Sequence, residues 1–404
     1  MSEALVALFA ELSREPDLDA PELQAFDATD ELLLTTAAGI LGTARAQDPF
    51  SVVVIGDRHG ALTLGAAAVL GARGVRVFQD PLLAERALAG NAERLDLAGA
   101  YANHPLDASL LTGAELVLLQ LPRSLAELDE IAQAIARWAS PNVTVLAGGR
   151  VKHMTRAMNE VLGRSFAQVA AGLAARKSRV LTATVPLTAE RLGEPRFPVW
   201  GEDPDLPFRM AAYGATFGGA TLDHGSRLLL AGLAEAAGAP RRTVDPGTDG
   251  LIDNPPRRIV DLGCGNGVLA VSAALAFPDA RVIATDQSAA AVAATRLTAE
   301  TAEVADRVEV LRADGAEAVP DGWAELILLN PPFHSGSTVH AGVAHRLIRS
   351  CARALVPASS NGAGELRMVF NSHLAYRGLV ERVIGPSRQV ARDRTFTVLS
   401  ATRR

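Results

Sequence analysis

The chain is poor in cysteine, in aromatic residues and in uninterrupted apolar stretches. Only Cys264 and Cys351 occur among 404 residues, so no disulfide framework or cysteine-based zinc knuckle can be built, and a reducing, cytoplasmic setting is expected. No segment approaches the roughly 20 uncharged apolar residues of a membrane span, because even the Ala-rich stretches are broken by Arg, Asp or Glu. The opening run carries Glu3, Glu11 and Glu15 among its apolar residues, with no basic segment ahead of them, and does not read as a secretory signal. The 35 glycines and 22 prolines follow no period, which excludes a collagen-like chain. What is present, 49% hydrophobic and 21% charged residues, describes a globular protein, and its length suggests two domains.

Charge is divided unevenly. Residues 1–150 hold 10 arginines against 20 acidic residues, whereas 151–404 hold 29 basic against 25 acidic residues. Two stretches are locally basic. Lys152, Arg156, Arg164, Arg176, Lys177, Arg179, Arg191 and Arg196 face only Glu160, Glu190 and Glu194, and seven arginines follow residue 376 against Glu381 and Asp393. Such stretches read either as solvated helix faces or as phosphate contacts, for which arginine is well suited.

Two α/β series are legible. In the first, a β-branched run at 51–55, a turn from Gly56 to Gly60 and a helix over 61–70 are followed by strands at 75–78, 116–119 and 143–146, with a helix over 125–138. The second restarts after a proline-rich gap at 238–256 that looks like an exposed loop. Its strands fall at 258–260, 281–284, 308–311, 326–329, 365–370 and 394–401, and its helices at 268–277, 289–301 and 343–355. Parallel strands with helical crossovers give a doubly wound sheet in each half. Between the halves, Pro186, Pro195, Pro198, Pro204 and Pro207 predict a connector with little regular structure. The expected division is 1–185, a linker at 186–207, and 208–404. The halves also share a plan, since VVVIGDRHG from Val52 lines up with IVDLGCGNG from Ile259, and LLQLPRS from Leu118 with LLNPPFH from Leu328.

The strongest local signal is Asp261-Leu-Gly263-Cys264-Gly265-Asn266-Gly267, which ends a strand and opens a helix. Alternating glycines let backbone approach a ligand closely, but the leading acid disfavours a pyrophosphate and suits the ammonium- and sulfonium-bearing end of S-adenosylmethionine. Asp286 ends the next strand, where an acid can accept from a ribose diol, and Asp314 ends the third, within reach of an adenine amine. Taken singly, each aspartate also reads as a helix cap or turn residue. Directly after the strand 326–329 comes Asn330-Pro331-Pro332-Phe333. Two prolines remove N–H donors, leaving carbonyl acceptors, an amide and a ring. The Asn330 oxygen and Pro331 carbonyl can accept both hydrogens of an exocyclic amine and turn its lone pair toward a methyl sulfonium, while Phe333 stacks on the base.

With these motifs in place, the second half resembles class I S-adenosylmethionine-dependent methyltransferases that act on amines. The whole chain resembles the tandem-domain ribosomal RNA guanine-N2 methyltransferases, in which a degenerate copy precedes the catalytic domain. The segment Leu222-Asp223-His-Gly225-Ser-Arg227, the run from Asn330, and Asn371-Ser-His373-Leu-Ala-Tyr376 carry that likeness, the last closer to the large-subunit type. The resemblance implies two tandem doubly wound Rossmann-like domains. It also implies a cofactor held by Asp261, Gly263, Gly265, Asp286 and Asp314, with Cys264, Asn266, Gly267, Gln287, Gly315 and Asn330 beside it. The target guanine would be held by Asn330, Pro331, Pro332 and Phe333. Ribosomal RNA or a subunit precursor is the implied partner, with no metal, no membrane and a monomeric chain.

In the first half, Gln120-Leu121-Pro122-Arg123 replaces the Asn-Pro-Pro-Phe run, so catalysis is not expected there, and its acidic balance argues against a dedicated RNA grip. Adenine N6 of DNA or RNA, a protein glutamine, and a non-catalytic RNA-binding assembly protein with a relic cofactor fold remain as alternatives. His334 reads as a rim residue beside the site. His340, His345 and Cys351 lack zinc-ligand spacing, Cys264 has no nucleophilic role, and Trp138, Trp200 and Trp323 read as packing residues.

Overall fold

The computed structural model describes residues 3–17, 23–43, 50–238, 255–331, 341–359 and 362–404, and divides the chain into two units, Met1–Phe197 and Pro198–Arg404. Most of the gap 238–256, together with Pro332, Phe333, His334 and His340, lies outside the described residues.

The first unit contains β1 (Val52–Ile55), β2 (Val75–Phe78), β3 (Tyr101–Asn103), β4 (Leu116–Gln120), β5 (Thr144–Arg150), β6 (Phe166–Ala171) and β7 (Ser178–Pro186), in the order β3-β2-β1-β4-β5-β7-β6. The second opens on a hairpin, β8 (Val199–Gly201) and β9 (Met210–Ala212). Its sheet comprises β10 (Arg258–Leu262), β11 (Arg281–Asp286), β12 (Val308–Arg312), β13 (Leu326–Leu329), β14 (Glu365–Asn371), β15 (Ser387–Arg392) and β16 (Phe396–Thr402), ordered β12-β11-β10-β13-β14-β16-β15. The two orders are the same. The first five strands of each order are parallel; β7 and β16 run against them, and the outermost strands, β6 and β15, pair antiparallel with these.

The apolar runs become central strands because both faces are covered. Val53, Ile55, Val117 and Leu119 pack with Leu128, Ile131 and Ile135 of the helix Leu125–Trp138, while Val52, Val54, Leu116 and Leu118 pack on the other face with Leu33, Leu62 and Leu64. In the second unit Ile259 and Leu328 join Leu229, Leu233 and Val271, and Val260, Ile327 and Leu329 join Ile348 and Leu355. Each such enclosed side chain contributes about 1.5–3 kcal/mol. The helices Leu125–Trp138 and Ala289–Thr301 each begin at a serine cap: Ser124 Oγ accepts from Glu127 N at 3.2 Å, and Ser288 Oγ from Ala291 N at 3.1 Å.

Several expectations are corrected. The proline-dense stretch holds two short elements, a helical turn, Ala189–Leu192, and strand β8, whose register with β9 pairs Trp200 with Ala211. Proline is tolerated there because the turn and the two-stranded edge leave few N–H groups needing a ladder partner. Trp138 and Trp200 are not core residues; they are 46% and 37% exposed, and the Arg209 guanidinium sits over the Trp200 ring at 5.4 Å. Of the basic residues between 151 and 196, Arg164 and Arg196 pair with Asp129, and Arg176 with Glu31, so these three serve the first unit's own fold.

The register makes the internal repeat a residue-by-residue match. Val52–Ile55 pairs with Leu116–Leu119 just as Ile259–Leu262 pairs with Leu326–Leu329. The turn Gly56–Gly60 is therefore the counterpart of Gly263–Gly267, and Gln120 of Asn330. Gly60 and Gly267 both precede a helix with left-handed backbone, φ 100° and 80°. A Cβ on Gly267 would also come within 2.9 Å of the Thr295 Cα, so two constraints meet at one residue. Gly267→Ala should cost at least about 2 kcal/mol, read as a lower unfolding midpoint of the second unit.

Candidate active site

Sheet order reverses between β10 and β13, and the site lies at the carboxyl ends of these strands and of β11. The turn after β10 is laced to β11, because Gly263 N and Cys264 N both donate to the Thr285 carbonyl, at 2.8 and 3.0 Å. Asp286 braces it from the side: Oδ2 accepts from Gly265 N at 3.1 Å and Oδ1 from Ser288 N at 2.9 Å. Gly263 and Gly265 take φ 82° and 55°. A Cβ on Gly263 would meet nothing within 4 Å, and one on Gly265 only the Phe217 carbonyl at 3.9 Å. Their backbone therefore faces open room, the shape needed for a closely held ligand.

The polar groups around that room suit one class of ligand. Asp261 is fully enclosed; Oδ2 accepts from Ala270 N at 2.9 Å, and Oδ1 has no hydrogen-bond partner among the described residues. Burial, aided by the nearby Asp286, pushes its carboxyl up to about 7. Asp286 is half-buried at the rim, and Asp314 closes the third strand, where Arg346 lies 3.5 Å from its Oδ1. A cluster of acids at the strand ends, Asp261, Asp286 and Asp314, favours a cationic, hydroxyl-bearing molecule over a pyrophosphate, and the residues present fit S-adenosylmethionine.

Not every residue expected to touch the cofactor turns its side chain that way. Asn266 is buried: Nδ2 donates to the Gly219 and Thr221 carbonyls, both at 2.9 Å, and Oδ1 accepts from Val268 N at 3.2 Å. Cys264 is buried with its sulfur receiving the Thr295 hydroxyl at 3.2 Å, and burial raises its thiol far above the usual range. These two, with Gly267, build the turn. The Gly315 carbonyl accepts from Thr285 Oγ1 at 3.0 Å, and the Gln287 carbonyl accepts from Arg312 Nε at 3.3 Å, so both tie strand ends together.

Asn330 follows β13 at the edge of the same cleft. Its Nδ2 donates to Ser226 Oγ at 3.0 Å and to Asp223 Oδ1 at 3.2 Å. Asp223 in turn accepts from Gly225 N and Ser226 N, at 2.9 and 3.1 Å, at the start of the helix His224–Gly238. A carboxylate cannot donate, so the amide nitrogen must face Asp223 and the amide oxygen must face away. Gly225 permits the approach, since a Cβ there would stand 3.3 Å from the Asn330 Oδ1. Pro331 is buried and brings no N–H. Asp223 and Ser226 hold the Asn330 amide, a partnership that a site reading centred on the strand ends misses. Their partner lies 107 and 104 residues away, and the local signal is only that of a helix cap. Nearby, Tyr376 meets His345 and Phe370 edge-on, with ring centres 6.5 and 5.7 Å apart.

The comparisons with known proteins agree with this architecture. Residues 208–400 match the methyltransferase small domain model, and residues 5–187 match the RLMG N-terminal domain model. The ribosomal RNA large subunit methyltransferase G of Streptomyces coelicolor is 34% identical over 97% of both chains, and that of Pseudomonas entomophila is 32% identical over 97% of this chain and 96% of its own. The chain belongs to this methyltransferase G family. In fold it is similar to the T. thermophilus 16S rRNA N2 methyltransferase RsmC, solved with AdoMet and guanosine, at a TM-score of 0.70 and 20% identity over 97% of this chain and 100% of the other. Among the described residues no group of three potential ligands could hold a metal ion, and no helix is long and apolar enough to cross a membrane.

Two outcomes test this geometry. Asp223→Asn keeps an acceptor for the helix cap but turns an amide donor toward Asn330; turnover should fall about 10- to 100-fold, with cofactor affinity retained in calorimetry. Asp261 holds its proton more tightly folded than unfolded, so its stabilising contribution is complete below about pH 4 and is lost as pH rises through about 7. The unfolding midpoint of the second unit should therefore decline between pH 5 and 8, and Asp261→Asn should flatten that decline by about 3 °C.

Proposed function

We propose that the protein transfers a methyl group from S-adenosylmethionine to the exocyclic N2 amine of a guanine in large-subunit ribosomal RNA, acting as a monomer in the cytoplasm. The observation that carries this reading is the fixed orientation of the Asn330 amide, whose nitrogen is engaged by Asp223 and Ser226. Its oxygen is thereby offered to an amine hydrogen. The Pro331 carbonyl stands next to it as a second acceptor, and no backbone N–H at that residue competes. Two acceptors on one NH2 group set the plane of the ring and draw the nitrogen lone pair out of conjugation. Phe333, outside the described residues, is assigned to stacking on the base.

Asp261, Gly263, Gly265, Asp286 and Asp314 hold the cofactor in this reading, through carboxylate acceptors and open glycine backbone. When bound, S-adenosylmethionine supplies an electrophilic methyl group on a sulfonium. The protein's own contribution is alignment: the glycine turn brings backbone close, and Asn330 aims the amine. Positioning of this kind is worth up to about 7–11 kcal/mol of a two-partner barrier. A guanine held within a helix must first leave its stack, so an unpaired target lowers the cost.

Asn330→Ala should lower methyl transfer at least about 100-fold while cofactor affinity changes less than about threefold, as expected for a group that acts on the amine alone. Turnover followed by mass spectrometry of modified nucleosides reads the first, and calorimetry the second. N2-methylguanine missing from the RNA of cells lacking the protein identifies the target; loss of a methylated adenine or of a methylated glutamine instead would overturn the assignment.

A further inference from the structure

The first unit has kept the cleft and changed its chemistry. A cavity of about 240 Å³ opens at the carboxyl ends of β1, β4 and β5, at the same reversal of strand order that hosts the active site in the second unit. The registers give each lining residue a counterpart. Arg58 takes the place of Gly265 and Gln120 that of Asn330, and Arg123 aligns in sequence with Phe333. Extending from β4–β5 and β13–β14, Arg150 takes the place of Asn371 and Lys152 that of His373. A glycine, an aromatic ring, an amide and an imidazole are thus matched by three arginines and a lysine.

One device of the catalytic copy survives. Gln120 Nε2 donates to Asp30, in the helix Ala28–Thr43, as Asn330 donates to Asp223 beside its own helix. Asp27, the one acid among the described lining residues, accepts from the backbone N–H of Thr29 at 2.6 Å. No carboxylate pairs with Arg58, Arg123 or Lys152 among the described residues, and Arg150 spends one nitrogen on the Arg176 carbonyl and the Ser178 hydroxyl. Their charges converge: His153, also on the cavity wall, is held below its ordinary range by partial desolvation and then by Lys152, Arg123, Arg58 and Arg150. Four cations gathered in a concave site against the single carboxylate of Asp27 among its described lining residues call for an anion. Arginine forks fit the oxygens of a phosphoester, and the volume admits a phosphate with part of its sugar but leaves no glycine room for the methyl donor.

We propose that this cleft is a second, non-catalytic site that binds a phosphoester anion through Arg58, Arg123, Arg150 and Lys152. The anion belongs to the RNA backbone or to a free nucleotide, and both present the same group.

Lys152 and Lys177 are the only lysines in the chain, so amine acetylation followed by mass spectrometry reads the cleft in the unaltered protein, with Lys177 as internal reference. An rRNA fragment or guanosine monophosphate, each added alone, should slow labelling of Lys152 relative to Lys177 at least about fivefold in one arm, as expected for a desolvated contact. In parallel, Arg123→Gln with Lys152→Gln alters two exposed side chains outside the methyl-transfer site. If the anion is RNA backbone, RNA affinity falls about 10-fold and the salt slope loses about two units, with cofactor affinity unchanged. If it is a nucleotide, nucleotide binding is lost and RNA affinity stays. Equal labelling of both lysines in both arms, together with unchanged RNA and nucleotide affinities in the double variant, would overturn the proposal.

Discussion

A carboxylate that can only accept decides which way an amide points, and the site of the second unit depends on that. Asp223 caps the helix His224–Gly238 through Oδ1 and orients Asn330 with that oxygen and Oδ2 together. The position of the reactive edge is therefore inherited from the seating of a helix. That helix is seated by Leu229 and Leu233 in the core, and by Arg227, which pairs with Asp203 and Asp205 of the segment before it. His224 adds a contact from the far side, with Nε2 2.5 Å from the Asp393 carboxylate and its ring stacked on Phe396. Two backbone N–H groups and this histidine hold the Asp393 carboxyl near 2, below its usual range. The amide is rigid because everything behind it is already paid for by folding.

Much of this was legible in the residues themselves. The helices Leu125–Trp138 and Ala289–Thr301 were legible from their composition and apolar pattern, and the central strands because four or five consecutive buried apolar residues have no other use in an α/β chain. The antiparallel strands β6, β7 and β15 escaped reading for the opposite reason. They lie toward a sheet edge with mostly exposed or alternating residues, and Arg388 and Arg392 in β15 look like surface. The glycine turn and Asn330 were visible because their chemistry is local. Asp223 and Ser226 stood out only within a family-like segment and without a role, because nothing in a helix cap announces which distant strand end it will hold. Asn266 misled in the reverse sense: its place inside a ligand-binding turn suggested contact, while its amide is used to tie that turn to residues 219–221.

Net charge also concealed more than it revealed. The first 150 residues carry twice as many acids as arginines, which argued against a role with RNA, yet three of those arginines open into one cavity. Several of the acids are withdrawn from the surface. Asp30 and Glu127 are raised to about 7 chiefly by burial, and the buried Asp57 caps a helix start through Leu62 N and Thr63 N. A sum over sequence counts such groups as equal to an exposed arginine, whereas a ligand meets only what faces the cleft.

The paired turns carry a historical consequence. In the catalytic copy three glycines occupy left-handed backbone, Gly263, Gly265 and Gly267; in the first copy Gly56 and Gly60 keep it, while Arg58, standing where Gly265 stands, has left that region. Losing the middle glycine altered the path of the main chain as well as the side chain mounted on it. Replacing that arginine by glycine would restore a permission without restoring the curve. Divergence between the duplicates has thus passed a point from which a single codon could return, and selection acting on the first lobe is free to shape it for some other duty.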